Sequence, residues 1–448
     1  MNETICAIAT ASGSGSISII RVSGDESIKT VSKIFRGKNL ENVETHTINY
    51  GHIIADDKVI DEVLVTVMHA PRTFTMEDVV EINCHGGIYT TKKILEELLN
   101  QGCSLAQPGE FSKRAYLNGR IDLIEAQGIM NLIEAKSEKS RELAISEISG
   151  KVTKLITNLR EKIIEIVANI EVNIDYPEYD DIEQLTNEKI LPNIKIIKEQ
   201  ISKILKESND GKIIQEGIKT VIIGRPNAGK SSLLNNLLDN NKAIVTNIPG
   251  TTRDIVEGNI TIDGILLNLI DTAGIRKTDE IVEKIGIEKS LRAMREADLV
   301  LFVFNNNEEI NEEEKTLLKE VKDKKHIILI NKIDLEKKLN YEFEEFIEIS
   351  ALKNIGIELL KEKIIKLFNL EKLEQQDMTY LTNARSLSIL KRVYNLINEV
   401  EDGITKEMPI DMIEIDLRNI WKTLGEITGE TYEEELIDQL FSRFCLGK

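Results

Sequence analysis

The chain has 448 residues, 41% of them hydrophobic, which is enough for several packed domains and too many for a wholly disordered protein. Lysine and arginine total 57 against 76 aspartates and glutamates, and the formal net charge of −19 excludes nucleic-acid binding through bulk positive charge. The 4 cysteines (Cys6, Cys84, Cys103, Cys445) form no Cys-x-x-Cys pair, which argues against a disulfide scaffold or zinc finger and for a reducing compartment. Residues 1–11 lack a signal-peptide pattern, and no apolar run approaches the ~18–20 residues of a membrane span, so a cytoplasmic protein is expected.

From Glu3 to about Asn118, short runs rich in Val, Ile and Thr alternate with Gly and Ser. Ser16–Arg21, Thr47–Ile54, Glu62–Met68 and Asp78–Asn83 read as strands, and Ser27–Phe35 and Tyr89–Asn100 as helices, which together predict a compact α+β domain over 1–118. From Gly119 the period becomes helical. Val152, Leu155, Ile156, Leu159, Ile163, Ile166, Val167 and Ile170 line one helix face, and the pattern runs upstream through Ile121, Ile124, Met130 and Ile133, predicting long bundled helices. Pro177 and Pro192 punctuate an acidic stretch, Glu178–Glu183, before another amphipathic helix near Leu191–Leu205.

Between about Glu216 and Leu370, buried-looking strands (Thr220–Ile223, Leu266–Ile270, Leu299–Phe304, Ile327–Ile330) are spaced by helical segments, as in a doubly wound parallel sheet. Asp263-Gly264 between two apolar runs signals a hairpin. After Asp377 the helical period returns with Leu387, Leu390, Val393, Ile397 and Val400, then Ile413, Leu417, Ile420, Leu424 and Ile427. The simplest architecture is an α/β domain, 216–377, inserted into a helical bundle built from 119–215 and 378–448.

The inserted domain carries four motifs in order. Gly224-Arg225-Pro226-Asn227-Ala228-Gly229-Lys230-Ser231 lies between a strand and a helix that starts near Ser232, the context a phosphate loop requires. Its glycines let backbone N–H groups face a β-phosphate, Lys230 reaches β/γ oxygens, and Ser231 offers a hydroxyl to Mg²⁺. Asp271-Thr272-Ala273-Gly274 ends the next strand, where a carboxylate holds Mg²⁺ through water and a glycine N–H senses the γ-phosphate. Asn331-Lys332-Ile333-Asp334 ends another, and Asp334 can accept both N1–H and the 2-amino group of guanine, a pairing adenine does not offer. Ser350-Ala351-Leu352 ends a short strand and can place an N–H near guanine O6. Four motifs in this order, each at a strand's carboxyl end, predict GTP binding.

Hydrolysis needs a group that orients water. Many small GTPases place a glutamine directly after Asp-x-x-Gly, but here that position is Ile275. The segment Arg276–Gly286 carries Asp279, Glu280 and Glu283, although an acidic loop by itself is ordinarily a solvated face. In the loop Asn247-Ile248-Pro249-Gly250-Thr251-Thr252-Arg253-Asp254, either Thr251 or Thr252 suits a switch ligand to Mg²⁺. Arg225, Arg253 and Arg276 fit an arginine finger no better than a surface role, and the alternative positive charge is a monovalent cation held by backbone carbonyls and Asn227.

Gly224–Ser232, Pro249–Asp254, Asp271–Gly286 and the terminal Cys445-Leu446-Gly447-Lys448 give the chain a close resemblance to the MnmE (TrmE) family of bacterial tRNA modification GTPases. Ile20-Arg21-Val22-Ser23-Gly24, Glu77-Asp78-Val79-Val80-Glu81, His85-Gly86-Gly87, Pro108-Gly109-Glu110-Phe111-Ser112 and Arg120-Ile121-Asp122 extend it over essentially the whole length. The resemblance implies a folate-binding N-terminal domain that dimerises, a helical domain, and an inserted Ras-like G domain whose dimerisation triggers hydrolysis. It implies K⁺ between Asn227, Thr246, Ile248 and Thr251, Mg²⁺ between Ser231 and Thr252, and Glu283 as the water-orienting catalytic residue. Arg21, Glu81, Arg120 and Lys448 fall where the family contacts 5-formyltetrahydrofolate or a related one-carbon folate, and Cys445 falls near that site.

The implied function is addition of a carboxymethylaminomethyl or aminomethyl group to the wobble uridine of certain tRNAs. The implied partner is a separate flavoprotein of the MnmG (GidA) type using FAD and NADH, in a heterotetramer or larger complex with a homodimer of this chain. The acidic balance assigns most of the tRNA surface to that partner. A GTP-dependent ribosome-assembly switch is the alternative, since that group shares the Asn-containing phosphate loop.

Overall fold

The computed structural model describes residues 3–11, 13–175, 187–239, 258–262, 264–271, 293–368, 381–430, 434–442, 444 and 447. The chain forms two compact units: one of Met1–Met130, Ile148–Ile197 and Arg392–Lys448, the other of Asn131–Glu147 and Lys198–Lys391.

The first unit begins with a seven-stranded sheet of β1 (Ile5–Ile8), β2 (Ile17–Ser23), β3 (Phe35–Gly37), β4 (Thr47–Ala55), β5 (Lys58–Met68), β6 (Val79–His85) and β7 (Ser104–Leu105), in the order β3-β4-β5-β6-β2-β1-β7. Strand periodicity sends Ile20, Val22, Val65, Val67, Val80 and Ile82 to one face. There they bury against Val31 and Ile34 of α1 (Ser27–Ile34) and Ile94 and Leu98 of α2 (Ile88–Asn100). The other face carries Arg21 opposite Glu81 and Tyr50 opposite Leu64. Asp56 and Asp57, both at positive φ, make the tight β4–β5 turn. An Asp-Asp pair is a weak hairpin signal, so the expected strand began at Glu62 while β5 begins at Lys58. A short helix, α3 (Glu110–Leu117), follows β7.

The helical pattern resolves into α4 (Leu123–Glu134), α5 (Glu138–Ile148), α6 (Lys151–Asp175) and α7 (Asn187–Glu216). The period upstream of Val152 is therefore broken twice. The Ser137 hydroxyl accepts the Ser140 N–H at the start of α5, and Gly150, at φ +73, separates α5 from α6. α7 extends beyond the expected Leu191–Leu205 at both ends, and Pro192 lies inside it near its N-terminus.

In the second unit, β8 (Ile218–Ile223), α8 (Lys230–Asp239), β9 (Gly258–Ile262), β10 (Ile265–Asp271), β11 (Leu299–Asn305), α9 (Glu312–Val321), β12 (His326–Asn331), β13 (Ile347–Glu348) and α10 (Ile357–Leu367) follow in turn. The sheet order is β13-β12-β11-β8-β10-β9, parallel except for the β9–β10 hairpin. β11 is buried along its whole length, as a central parallel strand covered on both faces must be. Leu143 of α5 and Ile214 of α7 lie in the same core as Ile222, Leu267 and Leu301.

The chain ends with α11 (Ala384–Thr405), α12 (Ile410–Thr428) and α13 (Glu434–Phe441). α12 packs along α6, burying Ile413, Leu417, Ile420, Leu424 and Ile427 with Ile156, Leu159, Ile163 and Ile170. Buried Arg160 of α6 stacks 4.4 Å from the Trp421 ring and pairs with Glu430. The architecture is thus an α+β N-terminal domain, a helical bundle contributed by both flanks, and an inserted α/β Ras-like G domain. Among the described residues no helix is long and apolar enough to cross a membrane.

Candidate functional site: a guanine-nucleotide site and a cationic N-terminal site

The phosphate loop starts where buried β8 ends. Gly224 sits at φ +147, and a Cβ there would lie 2.3 Å from the Val303 carbonyl of neighbouring β11, so only glycine fits. Asn227 at φ +61 and Gly229 at φ +98 turn the chain into α8. Lys230 opens that helix, and its ammonium donates to the Gly224 and Arg225 carbonyls, both at 2.7 Å. A positive group therefore spans the loop beside the N–H groups of a helix N-terminus, an arrangement suited to phosphate. Ser231 and Ser232 are exposed in the first turn, and Arg225 pairs with Glu308 at 3.2 Å.

Asn331, at the end of β12, links two of the motifs. Its Nδ2 donates to the Ala228 carbonyl at 2.8 Å, and its Oδ1 accepts the Ala351 N–H at 3.0 Å. The phosphate loop and the Ser350-Ala351-Leu352 turn are thereby held by one buried side chain. A Cβ on Gly229 would lie 2.1 Å from Asn331 Nδ2, which explains glycine at that position. The Ser350 hydroxyl donates to Asp334 Oδ1 at 2.6 Å and holds that carboxyl below its ordinary range. Asp334 thus stays an acceptor, as recognition of guanine N1–H and the 2-amino group demands. The backbone of Asp271 ends β10 opposite Ile222. Thr246, Asn247, Ile248, Pro249, Gly250, Thr251, Thr252, Thr272, Ala273, Gly274 and Glu283 lie outside the described residues.

Of the N-terminal candidates, Arg21 and Glu81 are cross-strand partners joined by an ion pair of 2.9 Å. Arg21 Nη1 also donates to the Gly447 carbonyl at 3.3 Å, and its guanidinium lies 5.6 Å from the Phe111 ring centroid. Gly447, at φ +85, sits so close to β1 that a Cβ would lie 2.5 Å from the Ile8 carbonyl. Gly447 is thereby brought to Arg21; Lys448 and Cys445 lie outside the described residues. Arg120 donates to the Thr73 carbonyl at 2.8 Å and lies 5.3 Å from the Phe74 ring. Phe74 and Phe111 belong to one small cluster with Ile5, Ala7 and Ala106, so both guanidiniums flank the same apolar knot.

Sequence reasoning missed part of this. Glu77, which is buried, takes both Arg114 and the Ser23 hydroxyl, and Ser23 also bonds Thr75. Asn236 of α8 reaches the Ala351 carbonyl. The motif Glu77–Glu81 contains Glu77 but gave it no role, and Asn236 belongs to no motif.

A parallel sheet bearing a phosphate loop, with Asn331 and Asp334 at a neighbouring strand end, defines a P-loop guanine-nucleotide-binding domain, that of a GTPase. Comparison with known proteins extends this to the whole chain. Residues 4–120 match the family described as the GTP-binding protein TrmE N-terminus, and residues 123–445 match the MnmE helical domain. The tRNA modification GTPase MnmE of Ligilactobacillus salivarius is 49% identical, covering 100% of this chain and 98% of its own. Those of Streptococcus mutans and Bacillus mycoides are 49% and 50% identical, each covering 100% of this chain and 99% of their own. The G domain of the T. maritima FeoB iron transporter is 30% identical over 34% of this chain and 98% of its own, with a TM-score of 0.24, too low to support a conclusion by itself. The chain belongs to the MnmE (TrmE) family of tRNA modification GTPases, and its role is that of a GTPase in tRNA modification.

Proposed function

We propose that GTP hydrolysis by this chain serves the addition of a carboxymethylaminomethyl or aminomethyl group at C5 of the wobble uridine in certain tRNAs. In this reading the chain is a cytoplasmic homodimer, joined to an FAD- and NADH-using flavoprotein partner in a heterotetramer or larger complex. The exposed Ile48, Tyr50 and Leu64 on the open sheet face are consistent with docking a second copy. The net charge of −19 favours tRNA contact mainly through the partner.

Bound Mg²⁺ and K⁺ would supply positive charge to the transferring phosphoryl group. Ser231 and Thr252 would hold Mg²⁺, and Asn227, Thr246, Ile248 and Thr251 would hold K⁺, K⁺ stimulating hydrolysis as the G domains dimerise. The exposed Asn227 side chain, which has no protein partner among the described residues, suits that role. Lys230 would exchange its two carbonyl acceptors for phosphate oxygens, and Asp334 would select guanine. Glu283 would orient the attacking water in place of the glutamine that Ile275 replaces. At the N-terminal site Arg21, Arg120 and Lys448 would bind the glutamate carboxylates of 5-formyltetrahydrofolate or a related folate, releasing Glu81 to accept pterin N–H groups.

One observation carries this reading over a ribosome-assembly switch: Arg21 lies between Glu81 and the carbonyl of Gly447 in the C-terminal tail, a site outside the G domain that a simple switch does not need. Nucleoside mass spectrometry of tRNA from cells lacking the gene tests it. Loss of carboxymethylaminomethyl-type wobble uridines is expected, restored by the intact gene and not by Glu283→Ala, whose purified protein should still bind GTP and no longer hydrolyse it. Unchanged nucleosides would sink the pathway, and unchanged turnover would remove Glu283.

A further inference from the structure

Asn236 lies in α8, the helix that Lys230 and Ser231 open, and no motif includes it. Its Nδ2 donates to the Ala351 carbonyl at 2.9 Å, across 115 residues of sequence. The N–H of Ala351 is separately held by Asn331 Oδ1 at 3.0 Å. Ala351 is therefore gripped on both sides, by the phosphate-loop helix and by the Asn-Lys-x-Asp motif.

The Ala351 carbonyl belongs to the same peptide unit as the Leu352 N–H. A trans peptide is planar, and its N–H points opposite to its C=O. Holding the carbonyl towards α8 therefore aims the Leu352 N–H away from α8. With the Ala351 N–H already spent on Asn331, the Leu352 N–H is the donor left in this turn; among the described residues it donates to no backbone acceptor outside the regular elements. The turn follows β13 and stands beside Asp334, to which Ser350 donates.

We propose that Asn236 is a positioning residue for guanine recognition: by anchoring the Ala351 carbonyl it aims the Leu352 N–H at O6 of the base. This rests on the guanine-site reading above. Asn236 touches no nucleotide atom in this scheme, and its influence is confined to the one base atom that the aimed N–H would contact.

The test uses the full chain and three diphosphates: GDP, IDP, which keeps O6 but lacks the 2-amino group, and 2-aminopurine riboside diphosphate, which keeps the amino group but has no oxygen at C6. Asn236→Ala is expected to weaken GDP and IDP by about five- to tenfold, the weight of one well-placed hydrogen bond, while 2-aminopurine riboside diphosphate changes less than about twofold. Asn236→Asp, equal in size but without the donor, should do the same, and Asn236→Gln should restore part of the GDP preference. An equal loss for all three ligands, or no loss, overturns the proposal. Failure of the unaltered chain to bind GDP would instead overturn the guanine site itself. Thermal unfolding of each nucleotide-free variant separates misfolding from either result; should Asn236→Ala fail to fold, the size-matched Asn236→Asp carries the comparison.

Discussion

Glu147 offers a direct test of how α5 packs. This carboxylate at the end of α5 is 3% exposed, accepts the Asn131 amide at 2.6 Å and the Thr382 hydroxyl at 2.7 Å, and so joins three segments distant in sequence. Burial disfavours its charged form, and the two hydrogen bonds offset only part of that, pushing its pKa up to about 7 from the ordinary 4.5. A carboxyl whose folded pKa is raised costs nothing below the unfolded value, because both states are then protonated. The cost appears as pH rises above 4.5, where the unfolded chain ionises first, and is complete above about 7. At about 1.4 kcal/mol per pH unit, that gap amounts to roughly 3 kcal/mol of lost stability at pH 8. Glu147→Gln removes the charge at nearly the same size and, like the protonated acid, offers one acceptor for the Asn131 amide and one donor to the Thr382 hydroxyl, which can accept, so its stability relative to the unaltered chain should rise from near zero at pH 4.5 to about 2–3 kcal/mol at pH 8. Urea unfolding by circular dichroism across pH 4.5–8 measures the difference curve, taken on the transition of the unit that contains residues 131–147 and 198–391. A flat difference curve would refute the reasoning, because it would mean that Glu147 ionises in the folded chain as it does in water.

Other expectations follow from close approaches. Gly229→Ala places a methyl within 2.1 Å of Asn331 Nδ2, so the phosphate loop must part from Asn331; GDP affinity should fall at least about a hundredfold with the circular dichroism spectrum retained, and near-normal binding would show that the loop can give way. Arg21→Ala removes the ion pair with Glu81 and the contact with the tail carbonyl, and titration calorimetry should show about tenfold weaker 5-formyltetrahydrofolate binding. Unchanged affinity would take Arg21 out of that site.

Periodicity made most elements legible in the sequence. The strands that alternate between a covered and an open face, and the helices from Val152 and from Ile413, appear close to where their patterns place them, because period two and period three-four each report a single buried face. Elements without such a pattern were missed. β1 is four residues long and β7 two, and β7 exists only because it pairs with β1. The breaks at Ser137 and Gly150 interrupt a continuous apolar pattern through capping and a single positive φ, neither of which changes hydrophobic spacing.

The Gly224–Ser231 and Asn331–Asp334 motifs were recognisable as motifs from sequence alone, because the phosphate and guanine recognition proposed for them calls for particular residue types at close spacing, which local chemistry encodes. What joins these loops was not. The bond from Asn331 to Ala228, the grip of Asn236 on Ala351, the meeting of Arg21 with Gly447 and the burial of Glu147 between Asn131 and Thr382 each link residues that no local pattern relates. They arise only when sheet order and helix packing bring distant segments within about 3 Å, where one hydrogen bond replaces water on both partners. Local sequence therefore determined which chemical groups this protein carries, and the tertiary structure decided which of them constrain one another.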